Sequence, residues 1–105
     1  MSGIARVGDL SSGHDFCPGV PIVSGSSNVF VDGRPVACVG DTCSPHYHYI
    51  SEENQHPLHT PVIITGSSNV FVNGRPVAKI GSVVSCSPFG EGTVIEGSST
   101  VFVGG

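Results

Sequence analysis

Two segments of this chain are nearly identical, and a third begins in the same way. Residues 25–41 read GSSNVFVDGRPVACVGD and residues 66–82 read GSSNVFVNGRPVAKIGS, whereas residues 97–104 give only GSSTVFVG. The part that the third copy lacks stands at the N-terminus, where residues 5–9 read ARVGD. Internal repetition is the strongest guide to architecture. We therefore predict three similar units around a pseudo-threefold axis, with the last unit completed by the first residues of the chain.

Each repeat carries the sequence signature of a β-hairpin. Asp32-Gly33 and Asn73-Gly74 stand between valine-rich runs, and such pairs favour tight turns because both residues tolerate positive φ. No stretch shows helical periodicity, so the sequence predicts an all-β fold. Further short strands are expected before each GSS, at residues 21–23, 61–64 and 93–95.

Valine and phenylalanine alternate within the hairpins, so they lie on opposite faces of the strands. The alternation leaves open which set faces the core, and we favour the phenylalanines, namely Phe30, Phe71 and Phe102. If they faced outward instead, three equivalent aromatic side chains would form a surface patch suited to a threefold partner.

Composition excludes several classes of function. A chain of 105 residues predicts one small domain with a modest core that needs a staple or a partner. The formal charge of −4 and the lack of a Lys/Arg run argue against nucleic acid as a partner. No apolar stretch is long enough to span a bilayer, and the N-terminus lacks the layout of a signal peptide. We therefore expect synthesis in the cytoplasm and no stable membrane association.

The repeat also organises the side chains that can bind a metal. His14 and His46 each stand six residues after the glycine of their Val-Gly-Asp segment, and Cys86 stands five residues after the corresponding Gly81. A pseudo-threefold axis would bring the three together, and tetrahedral zinc needs one more ligand. We choose His59 because it directly precedes the strand expected at residues 61–64. The alternatives for a listed ligand are His48, His56, Cys43 and Cys17.

The predicted site is thus His14, His46, His59 and Cys86, holding one structural Zn²⁺ ion. Without a secretory signal, disulfides are disfavoured, since cysteines beside histidines in a reducing compartment more often bind metal. We expect Cys38, whose repeat counterpart is Lys79, to pack in a strand or to lie on an edge, and we assign it no chemistry. Enzymatic activity is not expected, because no general base stands out and acids such as Asp9 and Asp41 lie on turns, where they are usually solvated. The alternative function is a zinc-stabilised ligand-binding or adhesion module.

These residues resemble a known family. The ARVGD segment, His14, the two GSSNVFV hairpins, the loop that carries cysteine and histidine, Cys86 and the final GSSTVFVGG are similar to a PAAR-repeat protein. The resemblance covers the chain from Ala5 to Gly105. The family is named for Pro-Ala-Ala-Arg, and the matching segments here read PVAC at residues 35–38 and PVAK at residues 76–79.

The resemblance implies a small cone of short strands. Near its tip, a zinc ion bound by three histidines and one cysteine would hold the strands together. The cone's base would cap a trimeric VgrG-like spike of a type VI secretion system or of a contractile phage tail, and sharpen it for envelope piercing. Family members often carry a toxin domain, whereas residues 1–105 are expected to form one PAAR domain without an effector extension. Effector or adaptor proteins would then bind non-covalently, and the assembled tip would be delivered outside the cell.

Overall fold

The computed structural model describes residues 2–12, 19–45, 49–51, 54–55, 60–86 and 90–104; for residues 49–51 and 54–55 it describes the backbone alone. These residues form short β-strands and no helix, which confirms the predicted all-β class and leaves no helix able to cross a bilayer. The strands are β1 (Ser2–Gly3), β2 (Phe30–Val31), β3 (Arg34–Pro35), β4 (Tyr49–Ser51), β5 (Asn54–Gln55), β6 (Val62–Ile63), β7 (Phe71–Val72), β8 (Arg75–Pro76), β9 (Val83–Ser85), β10 (Glu91–Thr93) and β11 (Phe102–Val103).

The repeats form the predicted hairpins. Strands β2 and β3 pair antiparallel, as do β7 and β8, each across a two-residue turn. Asp32 and Asn73 have φ of 54° and 53°, and the glycines that follow have φ of 78° and 80°. Left-handed conformations at both turn positions match the twist of a tight hairpin, which explains why Asp-Gly and Asn-Gly stand there.

The third hairpin is built from the two ends of the described chain. Strand β1 pairs antiparallel with β11, so that Ser2 lies opposite Val103 and Gly3 opposite Phe102. Gly3 thus takes the place that proline has in the other two hairpins, and a Cβ at this position would collide with the carbonyl oxygen of Ser98. The prediction that the N-terminus completes the last repeat is confirmed.

A closed ring of backbone hydrogen bonds joins the three units. The amide of Ala37 donates to the carbonyl of Ala5 (3.0 Å), that of Ala78 to Ala37 (2.9 Å), and that of Ala5 to Ala78 (2.9 Å). All three alanines are fully buried. Matching bridges flank this alanine ring, one per unit: Arg6 with Val36, Cys38 with Val77 and Lys79 with Ile4. The backbone therefore follows a pseudo-threefold pattern.

Two apolar clusters make up the core. One contains Ile22, Ile63 and Val94, which are equivalent positions in the three units, together with the alanine ring. The other contains Ile4, Val36, Val77, Cys38 and Val103, with valines of β2 and β7 packed against it. Cys38 is therefore a packing residue, as expected, and burial raises the pKa of its thiol.

The preference for inward phenylalanines is wrong. Phe30, Phe71 and Phe102 are 55, 55 and 47% exposed, whereas five of the six alternating valines pack in or against the core, namely Val29, Val31, Val70, Val72 and Val103. The hairpin register explains this arrangement. The carbonyl of Val29 accepts from the amide of Val36, which places a valine beside a core valine, while Phe30 lies opposite Pro35.

The expectation that Asp9 and Asp41 are solvated is also wrong, since both are buried. Asp9 accepts from the backbone amide of Arg6 (2.9 Å) and from its guanidinium (3.0 Å to each carboxylate oxygen), and Arg34 adds a third ion-pair contact at 3.1 Å. Asp41 repeats the motif with the amide of Cys38 (2.8 Å) and with Arg75 (3.3 Å). These acids close the turns that connect the alanine ring to the neighbouring units.

Each hairpin turn also touches the GSS loop of another unit. Asp32 accepts from Arg6 (2.7 Å), from the hydroxyl of Ser98 (2.7 Å) and from that of Thr100 (2.9 Å). In the third hairpin the carbonyl of Gly104 accepts from the hydroxyl of Ser67 (3.1 Å). The hairpin turns are therefore linked around the axis by side-chain hydrogen bonds.

Asp9→Ala should destabilise the protein strongly, because it leaves the buried guanidinium of Arg6 without its main partner. Removing one member of a buried ion pair costs about 3–5 kcal/mol. Ser82 occupies the equivalent turn, where among the described residues its hydroxyl accepts from one amide, that of Lys79 (3.0 Å), so Ser82→Ala should cost about 1 kcal/mol. Urea unfolding of both variants measures the loss of unfolding free energy, and equal losses in the two variants would contradict the prediction.

Asp32 should make stability depend on acid pH. Hydroxyls of Ser98 and Thr100, and then Arg6, lower the pKa of Asp32 from its ordinary value of 3.8. A lowered pKa favours the ionised carboxylate in the folded state, so its contribution is complete above pH 3.8 and is lost as the pH falls further. In urea unfolding, the advantage of the wild type over Asp32→Asn should therefore shrink on acidification. An advantage that does not change with pH would contradict this assignment.

Candidate functional site: the loop end and the hairpin end

The end of the molecule away from the hairpins, here called the loop end, contains three equivalent buried side chains. Ser11, Cys43 and Val84 follow the turns at Asp9, Asp41 and Ser82, and each pairs with the core strand that precedes the GSS segment of its own unit. Ser11 bridges to Val94, Cys43 to Ile22, and Val84 to Ile63. All three side chains are buried. They form a buried layer close in sequence to the segments that carry the predicted metal ligands.

Cys86 lies beyond this layer. It follows Val84 by two residues on the same chain segment, and side chains at i and i+2 of a strand share a face. Cys86 is buried, and its amide donates to the carbonyl of Gly90 (2.9 Å). The structure thus turns this predicted ligand inward.

A second thiol lies near Cys86. Burial raises the pKa of Cys43 to about 11, and the nearby thiol of Cys86 adds to that rise, while a hydrogen bond with Ser11 opposes it. The hydroxyl of Ser11 donates to the carbonyl of Val20 (3.0 Å). Two buried free thiols are therefore present at the loop end.

The other predicted ligands, His14, His46 and His59, lie outside the described residues, as do the alternatives His48, His56 and Cys17. Within the described ranges, no group of three or more His, Cys, Asp and Glu side chains is placed to hold a metal ion. The donors that the structure does place there are the thiols of Cys86 and Cys43, and thiolate sulfur suits zinc. Of the two, Cys43 was named from the sequence only as an alternative ligand.

The opposite end of the molecule, here called the hairpin end, presents an aromatic surface. Phe30, Phe71 and Phe102 occupy equivalent positions in the three hairpins and project outward. On the inner side, valines such as Val29 and Val70 are only half-buried against the core cluster. Exposed aromatic rings around a partly open valine core are typical of a surface that a partner covers.

The hairpins also offer free strand edges at this end. Phe30 lies opposite Pro35, which has no amide hydrogen, and the ladder bond on that side runs from Val36 to Val29. In an antiparallel pair, a residue between two hydrogen-bonded pairs points its own amide and carbonyl away from its partner strand. No backbone partner for these outward groups is found among the described residues at any of the three phenylalanines. Such edges can accept a strand from another chain.

Comparison with protein-family models agrees with these features. The PAAR motif model matches residues 2–46, 12–86 and 53–105, which overlap and together span residues 2–105. A comparison with curated proteins found no match. The chain belongs to the PAAR-motif family.

Proposed function

We propose that this protein is the structural tip of a trimeric spike, either in a type VI secretion system or on a contractile phage tail. In this proposal the hairpin end caps the spike and the loop end forms the point. One zinc ion, bound by His14, His46, His59 and Cys86, staples the point. The role is mechanical, so no catalytic residue is assigned.

The observation that carries the proposal is the closed alanine ring. A single chain places three hairpins in equivalent surroundings about one axis, with all three joining bonds between 2.9 and 3.0 Å. A monomer with this pattern can contact each subunit of a homotrimer in the same way, because its surface repeats with the trimer's symmetry. An asymmetric partner would give no physical reason for the repetition.

The chemistry of the hairpin end supports a β-rich partner. Its outward edges at Phe30, Phe71 and Phe102 can pair with three terminal strands of a spike, one from each subunit. The phenylalanine rings supply the aromatic anchors that dominate many interfaces. The edge hydrogen bonds would set the register, and burial of the rings would supply most of the affinity.

Zinc would serve stability at the loop end. The proposed site would lie beyond the layer of Ser11, Cys43 and Val84, where Cys86 is buried. A structural zinc ion can contribute about 10 kcal/mol to folding, since the site exists only in the folded chain. A metal staple therefore suits a point that must withstand mechanical load.

This role also implies a route for the protein. We propose that the chain is made in the cytoplasm, is mounted on its spike there, and leaves the cell when the spike is fired. Effector or adaptor proteins would travel with it through non-covalent contacts.

Elemental analysis of untagged, reduced protein should find about one zinc per chain, in keeping with a single tetrahedral structural site. Cys86→Ala should lose the zinc and melt at a lower temperature. Cys38→Ala is the matched control, because Cys38 is also a buried thiol but packs in the cluster of the hairpin end. Full zinc occupancy in Cys86→Ala would remove Cys86 from the site, and a metal-free wild type would refute the site altogether.

Changing Phe30, Phe71 and Phe102 together to serine should weaken binding to the purified cognate spike trimer by roughly a hundredfold, because three anchor side chains are lost. The matched control changes Val23, Ile64 and Ile95 to serine. These three are also equivalent in the repeat, and they are 50, 45 and 51% exposed. Binding is measured by size-exclusion chromatography with light scattering. Equal losses in both triple variants would contradict the assignment of the hairpin end as the docking face.

A further inference from the structure

The two internal hairpin turns have the same backbone but opposite hydrogen-bond chemistry. Asp32 is an acceptor that receives three donors, whereas Asn73 is a donor. The side-chain amide of Asn73 donates to Oδ1 of Asn28 (2.9 Å) and to Oγ of Ser26 (3.2 Å) in the first GSS loop. Position 73 therefore uses an amide where its counterpart uses a carboxylate.

Asn73 also carries a reactive arrangement of atoms. It precedes Gly74, both residues are exposed, and no atom lies within 4 Å of a Cβ built on Gly74. With no side chain to hinder it, the backbone nitrogen of Gly74 can approach Cγ of Asn73 more easily than any other residue would allow. Asn28 and Asn69 both precede valine, whose branched side chain blocks this approach.

We propose that Asn73-Gly74 is a deamidation site whose rate is governed by the contact with Asn28 and Ser26. The backbone nitrogen of Gly74 attacks Cγ of Asn73, the bond from Cγ to Nδ2 breaks, and the nitrogen leaves as ammonia with the proton of the Gly74 amide. Water then opens the succinimide ring at either carbonyl. The products are aspartate and isoaspartate at position 73.

The folded structure slows this reaction. Attack by Gly74 requires the carboxamide of Asn73 to rotate back over its own backbone, which breaks the hydrogen bonds to Asn28 and Ser26. The turn also holds Asn73 at φ of 53°, in a conformation that the strand pairing on both sides fixes. Loss of the contact between the second hairpin and the first GSS loop would therefore increase the rate of deamidation.

The product would disturb the hairpin end. The hydroxyl of Ser26 already donates to Oδ1 of Asn28 (2.9 Å), so a carboxylate at position 73 would face an oxygen that has no proton to give. At the equivalent turn, Arg6 neutralises Asp32, but Cys38 stands where Arg6 would be needed. A carboxylate is therefore paired with an arginine at the turn of Asp32, but it would have no such partner at position 73.

The test follows the mass gained at position 73 by peptide mass spectrometry, in mildly alkaline buffer. Native wild type should deamidate more slowly than the same protein in guanidinium. Asn28→Ala, which removes one acceptor, should speed the native reaction about fivefold, as expected for a hydrogen bond of ~1 kcal/mol. Asn69→Ala is the matched control, because its serine neighbour contacts Gly104 and not Asn73.

Three results would overturn the proposal. Absence of deamidation in guanidinium would exclude the site. Equal rates in the native and unfolded wild type would exclude protection by the fold, and this comparison holds even where Asn28→Ala is too unstable to assay. Equal rates in Asn28→Ala and Asn69→Ala would exclude control by Asn28. Asn73→Asp, which mimics one product, should melt below the wild type if the carboxylate is unpaired.

Discussion

Three hydrogen bonds between buried alanines are the constraint on which this structure depends. A ring in which each amide donates to the next carbonyl needs backbones close to the axis, and only a small side chain allows that approach. Once the ring is closed, the residues on either side have fixed partners. The hairpins lie on one side of the alanine ring, and the turns of Asp9, Asp41 and Ser82 lie on the other.

The side chains laid on this symmetric backbone are not symmetric. Arg6, Cys38 and Lys79 occupy one set of equivalent positions, and the first turn residues beside them are Asp32, Asn73 and Gly104. Asp32 is matched to Arg6 and Asn73 to Asn28, so each unit recognises its own neighbour. Such differences disfavour a chain in which the units close in the wrong order or pair with another copy. Pseudo-symmetry therefore provides the shape, and local chemistry specifies the order.

Repetition in the sequence was enough to predict the hairpins and their closure by the N-terminus, because turn residues and register are local properties. The register of the hairpin also indicates which side chains face the core. Counting back from the Asp32-Gly33 turn places Val29 beside Val36 and Phe30 beside Pro35. The local sequence allows Asp9 to pair with Arg6, but it does not predict the additional ion pair with Arg34, which is distant in sequence. Of the four predicted metal ligands, the structure locates Cys86, and the zinc site remains a prediction.

The pairing of Ser2 with Val103 has a consequence for how the protein is made. The third hairpin needs the first and last strands of the described chain, and the alanine ring needs Ala5 together with Ala78. The ring therefore cannot close on the ribosome until Ala78 has left the exit tunnel, and the last hairpin must wait longer still. Contacts of such high sequence separation slow folding. Until then, the exposed strands of the nascent chain depend on other protection against aggregation.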